Sequence, residues 1–290
     1  MLLLTVLDRP QATMSARGRT QADPSWTGRS PRARRRIATV LLAAVALAMP
    51  WAVGPAQAAP AVGPLIGVDI SYPQCGGPLP TGQSFAIVGV NGGSAATTNP
   101  CLATQLEWGE QSTGDTVHDD VQLYVNTGNP AGGNLWPQAG SNRYGDCDGS
   151  NSRACAYQYG WDRAYDDANF RGISNPEQYM WWLDVEIANT WDYTEGGGIR
   201  NAAVLEGMTE YFTSIGSRGV GLYSTAYQWG HIVRDGVEAH SSLNGLSNWR
   251  PTGSTLEGAQ ANCGLAPLTP GGVIEMTQFT TDFDYNWSCI

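Results

Sequence analysis

Short apolar runs rich in β-branched residues alternate along the chain with longer segments whose apolar residues repeat at helical spacing. The short runs predict strands at 65–71, 85–91, 121–126, 179–186, 220–224, 246–249, 273–280 and 282–287. The helical spacing predicts helices over 101–111, 156–170, 200–215 and 227–233. The segment 132–152 is rich in Gly, Asn, Asp and Ser, which predicts a loop. The chain therefore has the strand–helix alternation of an α/β protein.

A strand, a helix and a second strand in succession form a right-handed crossover, so the alternation predicts a parallel sheet. Beyond Leu243 the helical spacing fades while the strand pattern continues. The predicted fold is α/β, an irregular TIM-like (β/α) barrel with helices missing between the C-terminal strands. In such barrels the functional side chains collect at the C-terminal ends of the strands. The strand ends are therefore where we look for a site.

The N-terminal region has the layout of a secretory signal peptide. A basic cluster at 32–36 precedes an apolar run at 37–49, and the small-x-small tripeptide Ala-Gln-Ala occupies 56–58. The apolar run is too short for a stable membrane anchor. We predict that residues 1–58, an N-terminal extension plus signal peptide, are removed by the general secretory route, which fits better than the twin-arginine route. Residues 59–290 are then a single secreted domain with no membrane association.

The charge of the predicted mature domain limits its partners. Residues 59–290 contain 8 Arg, no Lys and 24 Asp plus Glu, a net charge of −16. Such a chain repels a phosphate backbone, so nucleic acid is excluded as a partner. The domain is expected to be a monomer.

All six cysteines lie in the predicted mature domain. An even count in an exported chain predicts three disulfides, although the sequence does not choose among the possible pairings. Pairing of nearest neighbours would give Cys75–Cys101, Cys147–Cys155 and Cys263–Cys289. The cysteines lack zinc-ligand spacing and the three His are scattered. No metal and no cofactor are therefore expected.

Acidic residues stand at the ends of three predicted strands. Asp69 lies near the end of the first strand, Asp184 and Glu186 end the fourth, and Asp282 and Asp284 follow the run 273–279. Residues two apart in a strand share a face, so Asp184 and Glu186 point the same way. Two neighbouring carboxyls in a half-buried pocket do not ionise equally, which allows one to act as an acid while the other stays charged. Cleavage of a glycosidic bond needs that division of roles.

A single acid at a strand end can simply cap the following helix. Acids on three strand ends of one predicted barrel instead indicate a common site, although they do not name a substrate. Among the aromatic residues, we expect Trp136 and Trp191, in predicted loops, to line a sugar groove. Of the adjacent pair Trp181 and Trp182, we expect one to face the barrel interior and the other the helices.

Four segments in order resemble glycoside hydrolase family 25, the bacteriophage- and actinomycete-type lysozymes (N-acetylmuramidases). They are Gly-Val-Asp-Ile-Ser-Tyr-Pro-Gln at 67–74, Leu-Asp-Val-Glu at 183–186, Gly-Val-Gly-Leu-Tyr-Ser at 219–224, and Thr-Gln-Phe-Thr at 277–280 followed by Phe-Asp-Tyr-Asn at 283–286. The resemblance runs over 65–286, nearly the whole mature domain. Because the segments are individually short, the ordered set carries the resemblance, which is to a divergent, actinobacterial-looking member.

The resemblance implies cleavage of the β-1,4 bond between N-acetylmuramic acid and N-acetylglucosamine in peptidoglycan. Glu186 would be the general acid, and Asp184 would orient the 2-acetamido group or stabilise the charge that develops there. Asp69 and Asp284 would complete an acidic ring around the cleaved bond. The implied substrate-binding residues are Tyr124, Tyr223, Gln278 and Asp282.

The chain departs from the family pattern in places. Val125 follows Tyr124 where the family commonly has His, and the short stretch from Gln278 to Asp284 leaves Asp282 and Asp284 as alternatives for one position. The loop over 126–154 is long, and the strong negative charge is unusual for an enzyme that approaches an anionic wall. Two alternatives therefore stay open: a barrel that binds a cell-wall or other glycan without cutting it, and a glycosidase for another polysaccharide.

Overall fold

The computed structural model describes residues 62, 63 and 65–290, which belong to the compact unit Pro55–Ile290. The predicted signal peptide and N-terminal extension lie outside the described residues. The strands are β1 (Ile66–Ile70), β2 (Ala86–Gly89), β3 (Val121–Asn126), β4 (Ser141–Asn142), β5 (Gly145–Asp146), β6 (Met180–Asp184), β7 (Gly219–Tyr223), β8 (Ser247–Pro251), β9 (Val273–Thr280) and β10 (Asp284–Ser288). Each predicted strand is thus present, with ends that differ by a few residues.

Eight strands close into a barrel in the order β1, β2, β3, β6, β7, β8, β9, β10 and back to β1. This confirms the predicted (β/α) barrel. Neighbours are parallel from β1 through β9, whereas β10 runs antiparallel to both β9 and β1. The expectation of a wholly parallel sheet was wrong at β10. Only residues 281–283 separate β9 from β10, and a parallel connection needs a much longer crossover.

The helices are α1 (Leu102–Gly109), α2 (Arg153–Phe170), α3 (Gly197–Ser214), α4 (Ala226–Ile232) and α5 (Leu256–Ala261), with 3₁₀ turns at Tyr72–Gln74, Pro176–Gln178 and Asn262–Gly264. The sequence pattern missed α5, which lies between β8 and β9. Six residues are too few for a clear helical period, but Thr255 marks the start by accepting a hydrogen bond from the Gly258 N–H. No helix in the described part of the chain is long and apolar enough to cross a membrane.

Three disulfides cross-link connections between the helices and strands. The bonds are Cys75–Cys101, Cys147–Cys155 and Cys263–Cys289, which confirms nearest-neighbour pairing. The segment predicted as a loop contains the small antiparallel pair β4–β5, directly before Cys147. The long connection between β3 and α2 is therefore irregular, as predicted, apart from this short hairpin, and the Cys147–Cys155 bond ties its end to α2.

The two adjacent tryptophans face opposite sides of β6, as expected. Trp182 lies in the barrel interior with Phe85, Ile87, Trp249 and Met276. Trp181 lies in the outer layer, stacked on Phe212 of α3 with 4.2 Å between ring centroids. The interior rings fit because glycines face them: a Cβ at Gly221 would lie 2.2 Å from the Trp182 ring. These rings fill the middle of the barrel and leave open space at its C-terminal mouth.

Candidate active site

A cavity of about 130 Å³ lies at the C-terminal mouth of the barrel. It is lined by Asp69, Tyr124, Asp184, Glu186, Tyr223, Trp249, Gln278 and Asp284. A second cavity, of about 200 Å³, shares Asp69, Tyr124 and Asp284 with it. The structure thus brings together seven of the eight residues that the sequence indicated for a site.

The carboxyls reach the cavity because of strand register. Asp69 of β1 pairs across the sheet with Asp284 of β10, so the two acids sit side by side at the seam where the barrel closes. Asp184 ends β6, and Glu186 follows two residues later on the same face. Val185, between them, is buried in the outer layer. The same alternation explains why Val125 does not reach the cavity: it packs outward, while Tyr124 points in.

Asp282 is the eighth predicted residue, and the structure does not place it in the cavity. It lies exposed in the turn between β9 and β10. Its Oδ1 accepts hydrogen bonds from the Thr281 hydroxyl at 2.9 Å and the Tyr285 hydroxyl at 3.1 Å. Hydrogen bonds, first of all that from Thr281, lower the pKa of Asp282. Of the two alternatives that the sequence left open, Asp284 is the one that lines the site.

Asp69 is buried, and burial is the main reason that its pKa is raised well above the usual value. The negative charge of Asp284 raises the pKa further. Two amide donors act in the opposite direction: Gln278 Nε2 donates to Asp69 Oδ2 at 2.9 Å, and Asn286 Nδ2 donates at 2.7 Å. These donors fix the orientation of the carboxyl.

Asp184 is also buried, with its pKa raised well above the usual value. Burial is the largest cause, followed by the charges of Glu186 and Asp69. Its Oδ1 is buried and has no hydrogen-bond partner in the described structure. A buried oxygen without a partner is costly. Here it lies in a cavity wall, where a bound molecule could provide the missing donor.

Hydroxyl and amide groups link the far side of the cavity to Asp69. The Tyr223 hydroxyl donates to Gln278 Oε1 at 2.7 Å, which leaves the Gln278 NH₂ group to bind Asp69. Burial raises the pKa of both Tyr124 and Tyr223, so their hydroxyls stay protonated at neutral pH. Tyr124 can enter the cavity because it passes over Gly89, where a Cβ would lie 2.6 Å from the Tyr124 ring. The cavity thus combines carboxyls with neutral donors.

Two residues of the site were not indicated as site residues by the sequence. Trp249 of β8 lines the cavity, and its Nε1 donates to Asn286 Oδ1 at 2.7 Å. That bond orients the Asn286 amide, whose Nδ2 holds Asp69. Trp249 ends a predicted strand, so its position could have indicated that it belongs to the site. The Asn286 contact depends on the pairing of β10 with β1, which local sequence does not specify.

Gln228 of α4 bridges the segment that carries Glu186. Its Oε1 accepts from the Ile187 N–H at 2.7 Å, and its Nε2 lies 3.4 Å from Glu186 Oε1. The backbone N–H determines which way round the amide sits, so the NH₂ group must face the carboxyl. Gln228 occupies the third position after the cap Thr225, where a Gln side chain often returns to cap the helix. Here the side chain holds the candidate site instead.

Trp191 supports the same segment through its backbone. Its Nε1 donates to the Glu186 carbonyl at 2.8 Å, and the ring is buried. Trp136 is likewise buried, with its Nε1 donating to the Ser150 carbonyl at 3.1 Å. The expectation that these two rings line a groove was therefore wrong, because both loops fold back and bury them in the outer layer.

The bridge made by Gln228 gives a first prediction. Gln228→Met keeps the length of the side chain but removes both amide contacts, so Glu186 should lose its fixed orientation. If Glu186 acts on a bound glycan, we expect kcat to fall roughly five- to tenfold, the value of about one hydrogen bond, with KM little changed. Steady-state kinetics of glycan cleavage measure the two constants separately.

Gln111→Met is the matched control, because Gln111 is exposed just after α1 and its side-chain amide donates to the Glu107 carbonyl, outside the cavity. It should leave both kinetic constants unchanged. An equal loss in the two variants, or a rise in KM alone for Gln228→Met, would contradict the positioning role.

In the described residues, no group of three or more His, Cys, Asp or Glu side chains has the arrangement of a metal site. The cavity offers carboxyls, hydroxyls, amides and one indole. This set suits a neutral, hydroxyl-rich and amide-bearing ligand, and paired carboxyls can transfer a proton to such a ligand.

Comparison with known structures reveals distant similarity. The muramidase of Trichobolus zukalii has a TM-score of 0.44 at 14% identity, over 77% of this chain and 93% of that one. A family 25 glycosyl hydrolase from Bacillus anthracis gives 0.44 at 13% identity, over 77% and 87%. The bacterial lysozyme of Streptomyces coelicolor gives 0.43 at 14% identity, over 77% and 91%. No protein-family model and no curated protein matches the chain. What the cavity does must therefore follow from its own side chains.

Proposed function

We propose that the protein is a secreted glycoside hydrolase, an N-acetylmuramidase that cleaves the β-1,4 bond between N-acetylmuramic acid and N-acetylglucosamine in peptidoglycan. The observation that carries the proposal is the meeting of Asp69, Asp184, Glu186 and Asp284 around one cavity at the mouth of a closed barrel. Glycosidic cleavage commonly uses a pair of carboxyls that flank the bond to be broken. The resemblance of the strand-end segments to family 25 lysozymes supports the same activity.

Glu186 is the group that we assign as the general acid. It is half-buried directly beyond the end of β6, so its carboxyl can meet both the cavity and a chain crossing the mouth. Gln228 contacts the carboxyl of Glu186, and Trp191 donates a hydrogen bond to its backbone carbonyl. Glu186 would donate its proton to the glycosidic oxygen as the bond to the anomeric carbon breaks.

Asp184 is the group that we assign to the 2-acetamido substituent. Its unpartnered Oδ1 would accept the N–H of that substituent. This contact would hold the acetamido oxygen against the anomeric carbon, where positive charge develops. The carbon would finally bond to the oxygen of a water molecule, whose proton passes to a carboxylate of the cavity, which completes the hydrolysis. Asp69 and Asp284 would complete the ring of carboxyls around the cleaved bond, and Tyr124, Tyr223 and Gln278 would contact the sugar hydroxyls.

The remaining features of the proposal concern where the protein acts. We infer export through the signal peptide at 1–58 and action as a monomeric domain of residues 59–290 outside the cell. Three disulfides support an oxidising destination. Peptidoglycan or a related glycan is the partner, and neither nucleic acid nor a membrane is.

The decisive experiment is to incubate oxidised residues 59–290 with purified peptidoglycan and to identify each new reducing end after borohydride reduction. We expect reduced N-acetylmuramic acid, and its loss in Glu186→Gln. Reduced N-acetylglucosamine, or cleavage of a different polysaccharide alone, would replace the muramidase assignment with another glycosidase. Binding to peptidoglycan without any cleavage would show a glycan-binding barrel instead.

A further inference from the structure

A group of exposed rings lies beside the candidate site and takes no part in the core. We define the aromatic platform as Tyr193, Tyr227 and His231. The rings of Tyr227 and His231 are parallel within 3°, with 6.0 Å between centroids, and the rings of His231 and Tyr193 are 5.0 Å apart. Tyr227 is 71% exposed and Tyr193 is 41% exposed. The platform is therefore a row of aromatic surface open to solvent.

The platform is connected to the cavity along the chain and through one side-chain bridge. Tyr227 immediately precedes Gln228, whose side chain contacts Glu186 and Ile187. Ile187 is itself 46% exposed and follows Glu186 directly. Tyr193 thus lies seven residues after the proposed acid, and Tyr227 lies next to the residue that bridges to that acid.

The strand order puts the platform across the barrel mouth from the second cavity. Tyr193 follows β6, and both Tyr227 and His231 lie on α4 after β7, so the platform is built from the connections that leave the neighbouring strands β6 and β7. The second cavity stands at the β1–β10 seam, beside Asp69 and Asp284. Around the barrel, four strands (β7, β8, β9 and β10) lie on one side between these two positions, and the other four (β6, β3, β2 and β1) lie on the other side. A straight path from one position to the other therefore crosses the main cavity.

We propose that the aromatic platform is a carbohydrate-stacking subsite that holds sugar rings of the glycan beyond the bond being cleaved. Tyrosine faces suit the C–H surfaces of pyranoses, while the phenol hydroxyls and imidazole nitrogens can bond to sugar hydroxyls and amides. The exposed rings next to a cavity otherwise lined by polar groups explain how a long chain could be held without a deep pocket. This inference rests on the proposed function, because it takes the occupant to be the same glycan.

The test measures binding separately from cleavage. Tyr193→Ala/Tyr227→Ala is made in the Glu186→Gln background, and affinity is measured by calorimetry for a short and a long soluble peptidoglycan oligosaccharide. We expect the double substitution to weaken binding of the long chain at least about tenfold, since each ring contact is worth roughly three- to tenfold. Affinity for the short chain should change little. Tyr165→Ala, which removes an exposed ring of α2, is the matched control and should have no effect.

The outcomes separate this inference from the proposed function. Suppose that the native protein cleaves peptidoglycan, but Glu186→Gln binds the long oligosaccharide equally well with and without the two Tyr substitutions. This result would overturn the platform and leave the proposed activity standing. Tyr-dependent binding without cleavage would establish the platform on a non-catalytic barrel. Equal weakening for short and long chains would also overturn it, because the rings would then act on the cavity rather than on a distant sugar. Failure of the native chain to bind any peptidoglycan oligosaccharide would overturn both.

Discussion

Glu186→Gln is expected to reduce cleavage of peptidoglycan by about a thousandfold, the usual contribution of a positioned general acid. Glutamine keeps the shape of the side chain and can still contact Gln228, but it has no proton to give to the leaving oxygen. Because Glu186 is only half-buried, the free energy of unfolding should change little. Release of reducing ends per enzyme, measured with the melting temperature, tests both parts.

Glu195→Gln is the control for this substitution. Glu195 is exposed in the same connection between β6 and α3, outside the cavity, so losing its charge should not affect cleavage. If Glu186→Gln retained more than about a tenth of the native rate, a loss far below that expected of a general acid, the assignment of Glu186 would be wrong. Asp184 would then be the next carboxyl to examine.

The strands and the acids at their ends were predictable from local pattern. A buried strand of a parallel barrel is a short apolar run, and its C-terminal end faces the same mouth as every other strand's. That rule was sufficient to predict a common site for Asp69, Asp184 and Glu186. The outward orientation of Val125, which the sequence left only as a departure from the family pattern, was learned from the structure.

The contacts that hold the acids in place were not predictable in the same way. Gln228 occupies a capping position in the sequence, and its use as a bridge depends on where α4 lies relative to the end of β6. Trp191 and Trp136 looked like groove residues because they lie in loops, but the folding of those loops is a tertiary matter. The local sequence pattern predicts which face of a strand or helix a side chain lies on. It does not predict which other part of the protein packs against that face.

The antiparallel direction of β10 explains why Asp284, and not Asp282, lines the cavity. In the sequence, Asp282 and Asp284 differ by one strand period and would share a face if both lay in a strand. The tight turn at 281–283 makes Asp284 the first residue of β10 and puts it opposite Asp69. Asp282 remains in the turn, where its hydrogen bonds are to its own neighbours.

Asp184→Asn is expected to lower activity while it raises stability. The activity part follows from the proposed role. The amide of Asn adds N–H donors where the acetamido N–H needs an acceptor, and it cannot take on negative charge as positive charge develops on the sugar. We expect a loss of about a hundredfold, comparable to removal of one electrostatic contact to a developing charge. The rate of release of reducing ends measures it, with Asp282→Asn as the matched control, since that carboxyl lies outside the cavity.

The stability part follows from the raised pKa of Asp184, which burial and the charges of Glu186 and Asp69 cause. Between the usual carboxyl pKa and the raised value, the folded chain binds more protons at this residue than the unfolded chain does. The contribution of Asp184 to stability is therefore full at acid pH and is lost as the pH rises through that window. Asn does not titrate, so the melting temperature of Asp184→Asn should exceed that of the native chain at neutral pH, and the gap should narrow towards acid pH. A gap that is absent at neutral pH, or that widens on acidification, would show that the carboxyl is not held at an energetic cost, and the case for Asp184 as a strained, functional acid would fail with it.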